Sequence, residues 1–293
     1  MKMNVEMFGR EPIFRSASMS STIEYNAYQT FAKKVVKNFR FTLDKESLAF
    51  QSMLQKTAKK RASDITGSEV FYRARKGYDK SSSQPSWFEP YKAKDMEAPP
   101  PDKAFEGRIN PKGIPYFYAA NDMKTAIMEI RPWIGEFVSI TSYSAPPVVD
   151  RPNCNETSTA MRSLRIVDLT SDNEKSIEMK QLFREQLPDS SQAIERQIWS
   201  EINYAFAKPI SNDDEIAEYA PSQIISEWFK HWGYDGVAYK SSVNPEHGKS
   251  YAFFNPSLFT ENQKMVDGIY KVTNLDCKFN PANTILSCSK KSD

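Results

Sequence analysis

Between residues 26 and 40 the apolar positions Tyr28, Phe31, Ala32, Val35, Val36 and Phe39 recur at helical spacing, with Lys33, Lys34 and Lys37 on the other side. A second run over 44–61, carried by Leu48, Phe50, Met53, Leu54 and Ala58, predicts another helix. Two such helices enclose little core alone, so they must pack on the rest of the chain. At Glu69 the period changes. Glu69 to Arg75 alternates aromatic and branched residues with arginines, which predicts a strand. Further strands are predicted at 115–119, 137–143, 164–169, 236–240 and 251–255, and 268–273 fits another. Helices are predicted at 122–130, 173–187, 191–206 and 221–232. Asn121 suits the N-cap of the first and Pro132 ends it, while Pro221 opens and Gly233 closes the last.

The intervening segments carry their own signals. Residues 1–22 are polar and methionine-rich without periodicity, as a loosely ordered terminus would be. Residues 76–106, with Ser81, Ser82 and Ser83 and then Pro99, Pro100 and Pro101, read as one long polar loop of the kind that forms lids or insertions. Pro146, Pro147 and Pro152 mark an irregular connection over 145–160. Short strands mixed with helices, without strict alternation, predict an α+β fold. The natural divisions are a helical extension over 1–66, a main domain over 67–257 and a tail over 258–293 that packs on or extends it.

Composition narrows the chemistry by exclusion. The charged fraction is 26% and the hydrophobic fraction 40%, ordinary for a globular protein, and the net charge of +2 favours no polyanion. The basic faces built from Lys33, Lys34, Lys37, Arg40, Lys59, Lys60 and Arg61 read as solvated surface, so nucleic acid is not an expected partner. Cys154, Cys277 and Cys288 lack metal-ligand spacing, and His231 and His247 are too few to complete a site, so no metal is expected. His231, between Trp228 and Trp232, reads as a packed or capping residue. Asn155-Glu156-Thr157 fits a glycosylation acceptor, a chance match in a chain without a secretory signature. No run of 18 apolar residues exists, so no membrane partner is expected and the setting read from the sequence is cytoplasmic.

Candidate chemistry gathers in two places. Gly107 and Arg108, then Pro111-Lys112-Gly113, lead into a short aromatic strand with Tyr116 and Tyr118, and Glu129 follows on the next helix. Glycines permit unusual torsions and close ligand approach, though the same residues make an ordinary turn. Thr125 and Glu129 share one helical face while Met123, Ile127 and Ile130 form an apolar stripe, so the carboxylate borders a core, where a plain ion pair with Arg108 or Arg131 is the bland alternative. Arg73 and Arg75 point to one side of their strand, an arrangement suited to a pyrophosphate or to a salt-bridged edge. Ser241 and Ser242 end a strand after the Gly233 and Gly236 turn; strand-end serines commonly satisfy backbone groups. No Ser-His-Asp or Cys-His arrangement, P-loop or dinucleotide fingerprint is present.

Taken in order, Val70 to Arg75, Gly107 to Pro115 with Tyr118, Thr125 to Glu129, Gly233 to Gly236 with Tyr239 to Ser241, and Tyr251 to Pro256 resemble the RES-domain family, named for its arginine, glutamate and serine. The likeness runs over about 67–257, and the helices at 26–61 resemble the N-terminal extension of longer members. Ile109 stands where an aromatic often follows the arginine.

The resemblance implies an ADP-ribosyltransferase-like core and a toxin of a bacterial toxin–antitoxin system that destroys NAD+. Phosphate or water would be the acceptor, giving an NAD+ phosphorylase or an NAD+ glycohydrolase. It implies no cofactor beyond NAD+ as substrate, with inorganic phosphate as an optional co-substrate, and admits an antitoxin protein and a second copy of the chain as partners. Carried onto this sequence, Glu129, Arg108 and Ser241 would be catalytic, and Arg73, Arg75, Tyr118, Tyr116 and Ser242 would bind NAD+. Ile127 occupies the place where arginine-modifying ADP-ribosyltransferases carry a second acidic group, which points away from a protein acceptor. Two competing readings are a transferase that modifies a protein or nucleic acid, and a non-catalytic interaction module on the same fold.

Overall fold

A computed structural model describes residues 26–80, 87–149, 161–170, 191–208, 216–244, 246 and 248–275. The expectations for 1–22, for the helix at 173–187, for most of the 145–160 connection, and for His247 and all three cysteines lie outside the described residues.

The N-terminal amphipathic runs form α1 (Ala27–Lys37) and α2 (Lys45–Ala58). Asp44 caps α2, its side chain accepting from the Ser47 N–H at 2.9 Å. Of the basic residues here, Lys34 pairs with Asp44 and Glu46, Lys60 with Glu195, and the Arg61 guanidinium lies over the Trp199 ring. The apolar face does not close on itself. Phe31 stacks at 4.9 Å on Phe50 and at 5.1 Å on Trp228, a residue nearly two hundred positions downstream. The extension therefore shares one core with the rest of the chain.

The polar stretch 76–106 is more structured than its composition predicts. It contains a short hairpin, β3 (Asp79–Lys80) with β4 (Phe88–Glu89), a single turn α3 (Ala93–Met96), and a 3-10 turn at Pro101–Lys103. Tyr78, Phe88 and Phe137 bring that hairpin down onto the sheet, with ring centroids 4.4 to 5.2 Å apart. These aromatics supply the order, and they fall outside any regular period.

The main sheet has eight strands. In chain order they are β1 (Ala62–Ile65), β2 (Val70–Lys76), β5 (Phe117–Ala120), β6 (Phe137–Ser144), β9 (Leu164–Asp168), β10 (Gly236–Lys240), β11 (Lys249–Phe253) and β12 (Lys264–Lys271). Across the sheet the order is β1-β9-β10-β11-β5-β2-β6-β12. Every neighbouring pair is antiparallel except β9 with β10. A small separate pair joins β7 (Val148–Val149) to β8 (Met161–Arg162). Among the described residues past 257, β12 joins this sheet and forms its edge along β6.

One sheet face carries Val237 and Ala252 beneath α1, α2, α5 (Ser191–Ala207) and α6 (Ala220–His231). The other face carries Phe71, Phe117, Tyr143, Tyr251 and Phe253 against Phe259. Helices on one side of a largely antiparallel sheet make this an α+β fold. The remaining helix, α4 (Met123–Glu129), follows β5 directly. Its N-cap is Asp122 rather than Asn121, with the Asp122 side chain accepting from Thr125 N–H at 2.8 Å. Its buried side is Thr125 and Ala126, whereas Met123 of the expected stripe is exposed. His231, at the end of α6, is exposed and does not pack between the tryptophans.

Candidate functional site

The sheet nearly parts in its middle. Between β2 and β5 the ladder registers at a single pair, Tyr72 opposite Ala120. Strands that diverge leave space above them, and a cavity of about 400 Å³ opens at this seam. Its floor is Tyr72, Ala74, Tyr118, Ala120, Tyr239 and Ser250, all on the helix-bearing face. Its walls are Ala126, Glu129, Ile130 and Arg131 on one side and Gly107, Arg108 and Ala207 on the other. The volume lies in the range of small-molecule sites, roughly 300 to 1,000 Å³.

Glu129 ends α4 and reaches across to the β10–β11 connection. Its Oε1 accepts from Ser241 Oγ at 2.8 Å and from Ser250 Oγ at 2.7 Å. Both serines are buried, Ser241 1% and Ser250 2% exposed, and Ser250 belongs to the cavity floor. Behind them Asn244 N–H donates to Ser241 Oγ at 3.2 Å and Asn244 Nδ2 to Thr125 Oγ1 at 2.8 Å. Thr125 in turn donates to Asp122 Oδ2 at 2.6 Å. A single polar network thus fixes both ends of α4 to the strand that presents the serines. Glu129 itself stays exposed, so the network orients the carboxylate without sealing it. Burial, followed by the Glu129 carboxylate, pushes the Tyr239 phenol well above its ordinary value, which keeps a neutral hydroxyl hydrogen-bonded to Ser250 beside the carboxylate.

Arg108 sits on a loop whose backbone is held from two sides. From α6, Ser222 Oγ donates to Arg108 O at 2.6 Å and Gln223 Nε2 to Gly107 O at 2.7 Å. Within the loop, Asn110 Nδ2 donates to Phe105 O at 2.9 Å and Ile114 O at 3.1 Å, and its Oδ1 accepts from the Tyr118 hydroxyl at 2.6 Å. Gly107 is required by close approach, since a Cβ there would stand 2.8 Å from Asn110 Oδ1. Ile109 is wholly buried, anchoring the loop in the helix-side core. The Arg108 guanidinium donates to Phe206 O at 2.7 Å and lines the cavity. Burial lowers its pKa, Glu129 opposes that shift, and the neighbouring Arg131 adds to it.

Arg108, Glu129, Tyr118 and Ser242 therefore meet at one cavity, with Ser241 immediately behind the carboxylate. Three residues fall elsewhere. Arg73 borders the cavity, but its guanidinium turns to the opposite sheet face, donating to Tyr118 O at 2.8 Å and Glu97 O at 3.3 Å over the Phe117 ring. There it bridges β2 to β5 where the ladder gives out, and burial brings its pKa down to about 10. Arg75 shares that face, lies over Tyr91, donates to Asp95 O and does not line the cavity. The physical reason is parity: Phe71 is buried on the side that Arg73 and Arg75 share. Tyr116, just ahead of β5, is 2% exposed, packs on Phe254 at 5.1 Å and does not line the cavity.

Four cavity residues with polar or charged side chains carry no site assignment from the sequence: Tyr72, Tyr239, Ser250 and Arg131. Strand parity could have found Tyr72, opposite to Phe71, and Ser250, which shares its face with Ala252.

A family model described as RES domain matches residues 70–273. Among solved structures, the chain is similar to the crystal structure of the M.tuberculosis MbcT-MbcA toxin-antitoxin complex, with 13% sequence identity and a TM-score of 0.39 over 75% of this chain and 92% of that chain. No curated protein matches the chain.

Proposed function

This chain belongs to the RES domain family, and from the geometry of its cavity we propose that it consumes NAD+ by cleaving the nicotinamide–ribose bond. The observation that carries this is the Glu129 carboxylate, fixed through Oε1 by two serine hydroxyls and open to a cavity that Arg108 also lines.

Breaking that bond builds positive charge on the ribose ring, and contacts to the neighbouring hydroxyl strengthen in the transition state. With Oε1 held by Ser241 and Ser250, Oε2 is presented to a ribose hydroxyl, and its negative charge stabilises the developing cation. The orientation exists before substrate arrives, so little reorganisation is needed during the reaction. Arg108 supplies a fixed cation for the phosphate-bearing side of the substrate. Tyr118, its hydroxyl tied to Asn110, offers a ring to a planar group. Neutral nicotinamide departs without needing a general acid, which fits the lack of a histidine among the lining residues.

For the acceptor, the helix offers no second carboxylate near Glu129: Ile127 and Ala126 occupy the preceding turn. This favours phosphate or water over a protein side chain, and with it a phosphorylase or glycohydrolase acting as a toxin whose antitoxin is a separate protein. NMR of NAD+ incubated with purified protein, in phosphate and in phosphate-free buffer, tests the activity and its acceptor together. Free nicotinamide with ADP-ribose 1″-phosphate identifies a phosphorylase, and free ADP-ribose a glycohydrolase. Intact NAD+ in both buffers would refute the assignment.

A further inference from the structure

We propose that Tyr239 is a specificity-determining residue of this cavity, its phenol oxygen and Glu129 Oε2 forming a pair of acceptors that grips two adjacent hydroxyls of a ribose. The assignment rests on the NAD+ reading above for the identity of the substrate. It deepens that reading by naming the residue that meets the second hydroxyl of the nicotinamide ribose.

Placement is the first ground. Tyr239 on β10 stands directly opposite Ser250 on β11, and both belong to the cavity floor. Residues paired in this way across antiparallel strands put their side chains on one face, with Cβ atoms about 4.5–5.5 Å apart. Ser250 in turn bonds Glu129 Oε1 at 2.7 Å, so Tyr239, Ser250 and Glu129 form one run across the floor. The Tyr239 ring leans on the fully buried Phe206, with 6.5 Å between centroids, which fixes where its hydroxyl stands. Another lining phenol, Tyr118, spends its hydroxyl on Asn110 Oδ1 at 2.6 Å.

Donor arithmetic is the second ground. A serine hydroxyl has one proton to give, and Ser250 gives its own to Glu129 Oε1. Toward Tyr239 it can only accept, so in the bond between them the phenol donates. Burial, with Glu129 close by, keeps that proton on the phenol. What Tyr239 can offer a ligand is then lone pairs alone. Glu129 is in the same condition, because both serines meet Oε1 and leave Oε2 to the ligand. Two neighbouring acceptors with no proton to offer disfavour an anion and select a group that brings two donors. The adjacent hydroxyls of a ribose are such a group, each with one proton to give. With Oε2 on the hydroxyl beside the breaking bond, Tyr239 receives the next one.

Nicotinamide release is measured under kcat/KM conditions for NAD+ and for the analogue lacking the 3′-hydroxyl of the nicotinamide ribose. Both substrates are run on the wild type and Tyr239→Phe, with thermal melts as the folding control. The expected result is a loss of about 10-fold or more when either the substrate hydroxyl or the phenol oxygen is removed, and no more than about 2-fold further when both are gone. Losses that multiply would overturn the assignment, since a tyrosine that only props Ser250 acts independently of the substrate hydroxyl. Equal kcat/KM for the two substrates on the wild type would also overturn it, whatever the melt of Tyr239→Phe. Binding is read separately, by calorimetric titration of nicotinamide mononucleotide and its 3′-deoxy form. The wild type should prefer the hydroxylated ligand about 10-fold and Tyr239→Phe should not; no binding, or no preference, in the wild type would refute the diol grip. A wild type that shows this preference yet leaves NAD+ intact would count against the NAD+ reading alone.

Discussion

Replacing Ser250 with alanine removes one of the two hydroxyls that converge on Glu129 Oε1, and it does so from the cavity floor while leaving the other serine in place. The bond is 2.7 Å long and ends on a carboxylate. Hydrogen bonds to charged acceptors contribute about 1.5–3 kcal/mol. At about 1.4 kcal/mol per factor of ten, full loss of the orienting energy would lower the share of productive carboxylate roughly 10- to 100-fold. Ser241, still bonded at 2.8 Å, retains part of that orientation, which places Ser250→Ala near the lower bound, about 10-fold in kcat/KM. Ser241→Ala should cost more, because it also strands the Asn244 N–H that donates to Ser241. The assay is nicotinamide release under kcat/KM conditions for each single variant and the double variant, with thermal melts as the control for folding. The double variant should lose less than the product of the single losses if both serines act only through one oxygen of one carboxylate. Full kcat/KM in Ser250→Ala, with an unchanged melt, would show that the serine pair does not position Glu129.

Two further substitutions probe the supports of the site. Gly107→Ala pushes a methyl to within 2.8 Å of Asn110 Oδ1 and 3.2 Å of the Tyr118 hydroxyl, so it should destabilise by about 1–3 kcal/mol and cut kcat/KM at least 10-fold. Gly67→Ala, with nothing within 4 Å of the new methyl, is the matched control and should stay within about 0.5 kcal/mol of the wild type by denaturant melts. Phe31→Ala empties the contact between α1, Phe50 and Trp228 and should cost about 3–5 kcal/mol in the unfolding free energy, whereas a loss below about 1 kcal/mol would mean that the N-terminal helices are an appendage.

Much of this architecture was legible before any coordinates. The period-2 run at β2 and the helical run at α1 stand within one to three residues of their predicted bounds, because a single buried face dictates each pattern. Residues 76–106 were not legible as structure, since Tyr78 and Phe88 gain order from Phe137 far along the chain. For the site, Glu129, Arg108 and Ser241 were named by motif order; Glu129 and Arg108 line one cavity, and Ser241 bonds the carboxylate from behind it. Arg73 misled for a definable reason. Two arginines on one strand face look like an anion grip, yet only the register at Tyr72 and Ala120 reveals that the ladder stops there and needs Arg73 to bridge it. Ser250 escaped because its place depends on a strand partner, which a residue name does not announce.

The most direct test of the account compares wild-type protein with Glu129→Gln in two measurements on the same samples, nicotinamide release followed by NMR and NAD+ affinity measured by titration at a temperature where turnover is slow. Glutamine keeps the shape and can still accept from Ser241 and Ser250, so folding and NAD+ binding should persist within a few-fold while nicotinamide release falls by at least about 100-fold, the scale seen when one preorganised charge-stabilising group is removed. Turnover by Glu129→Gln at the wild-type rate would contradict the claim that this carboxylate carries the reaction.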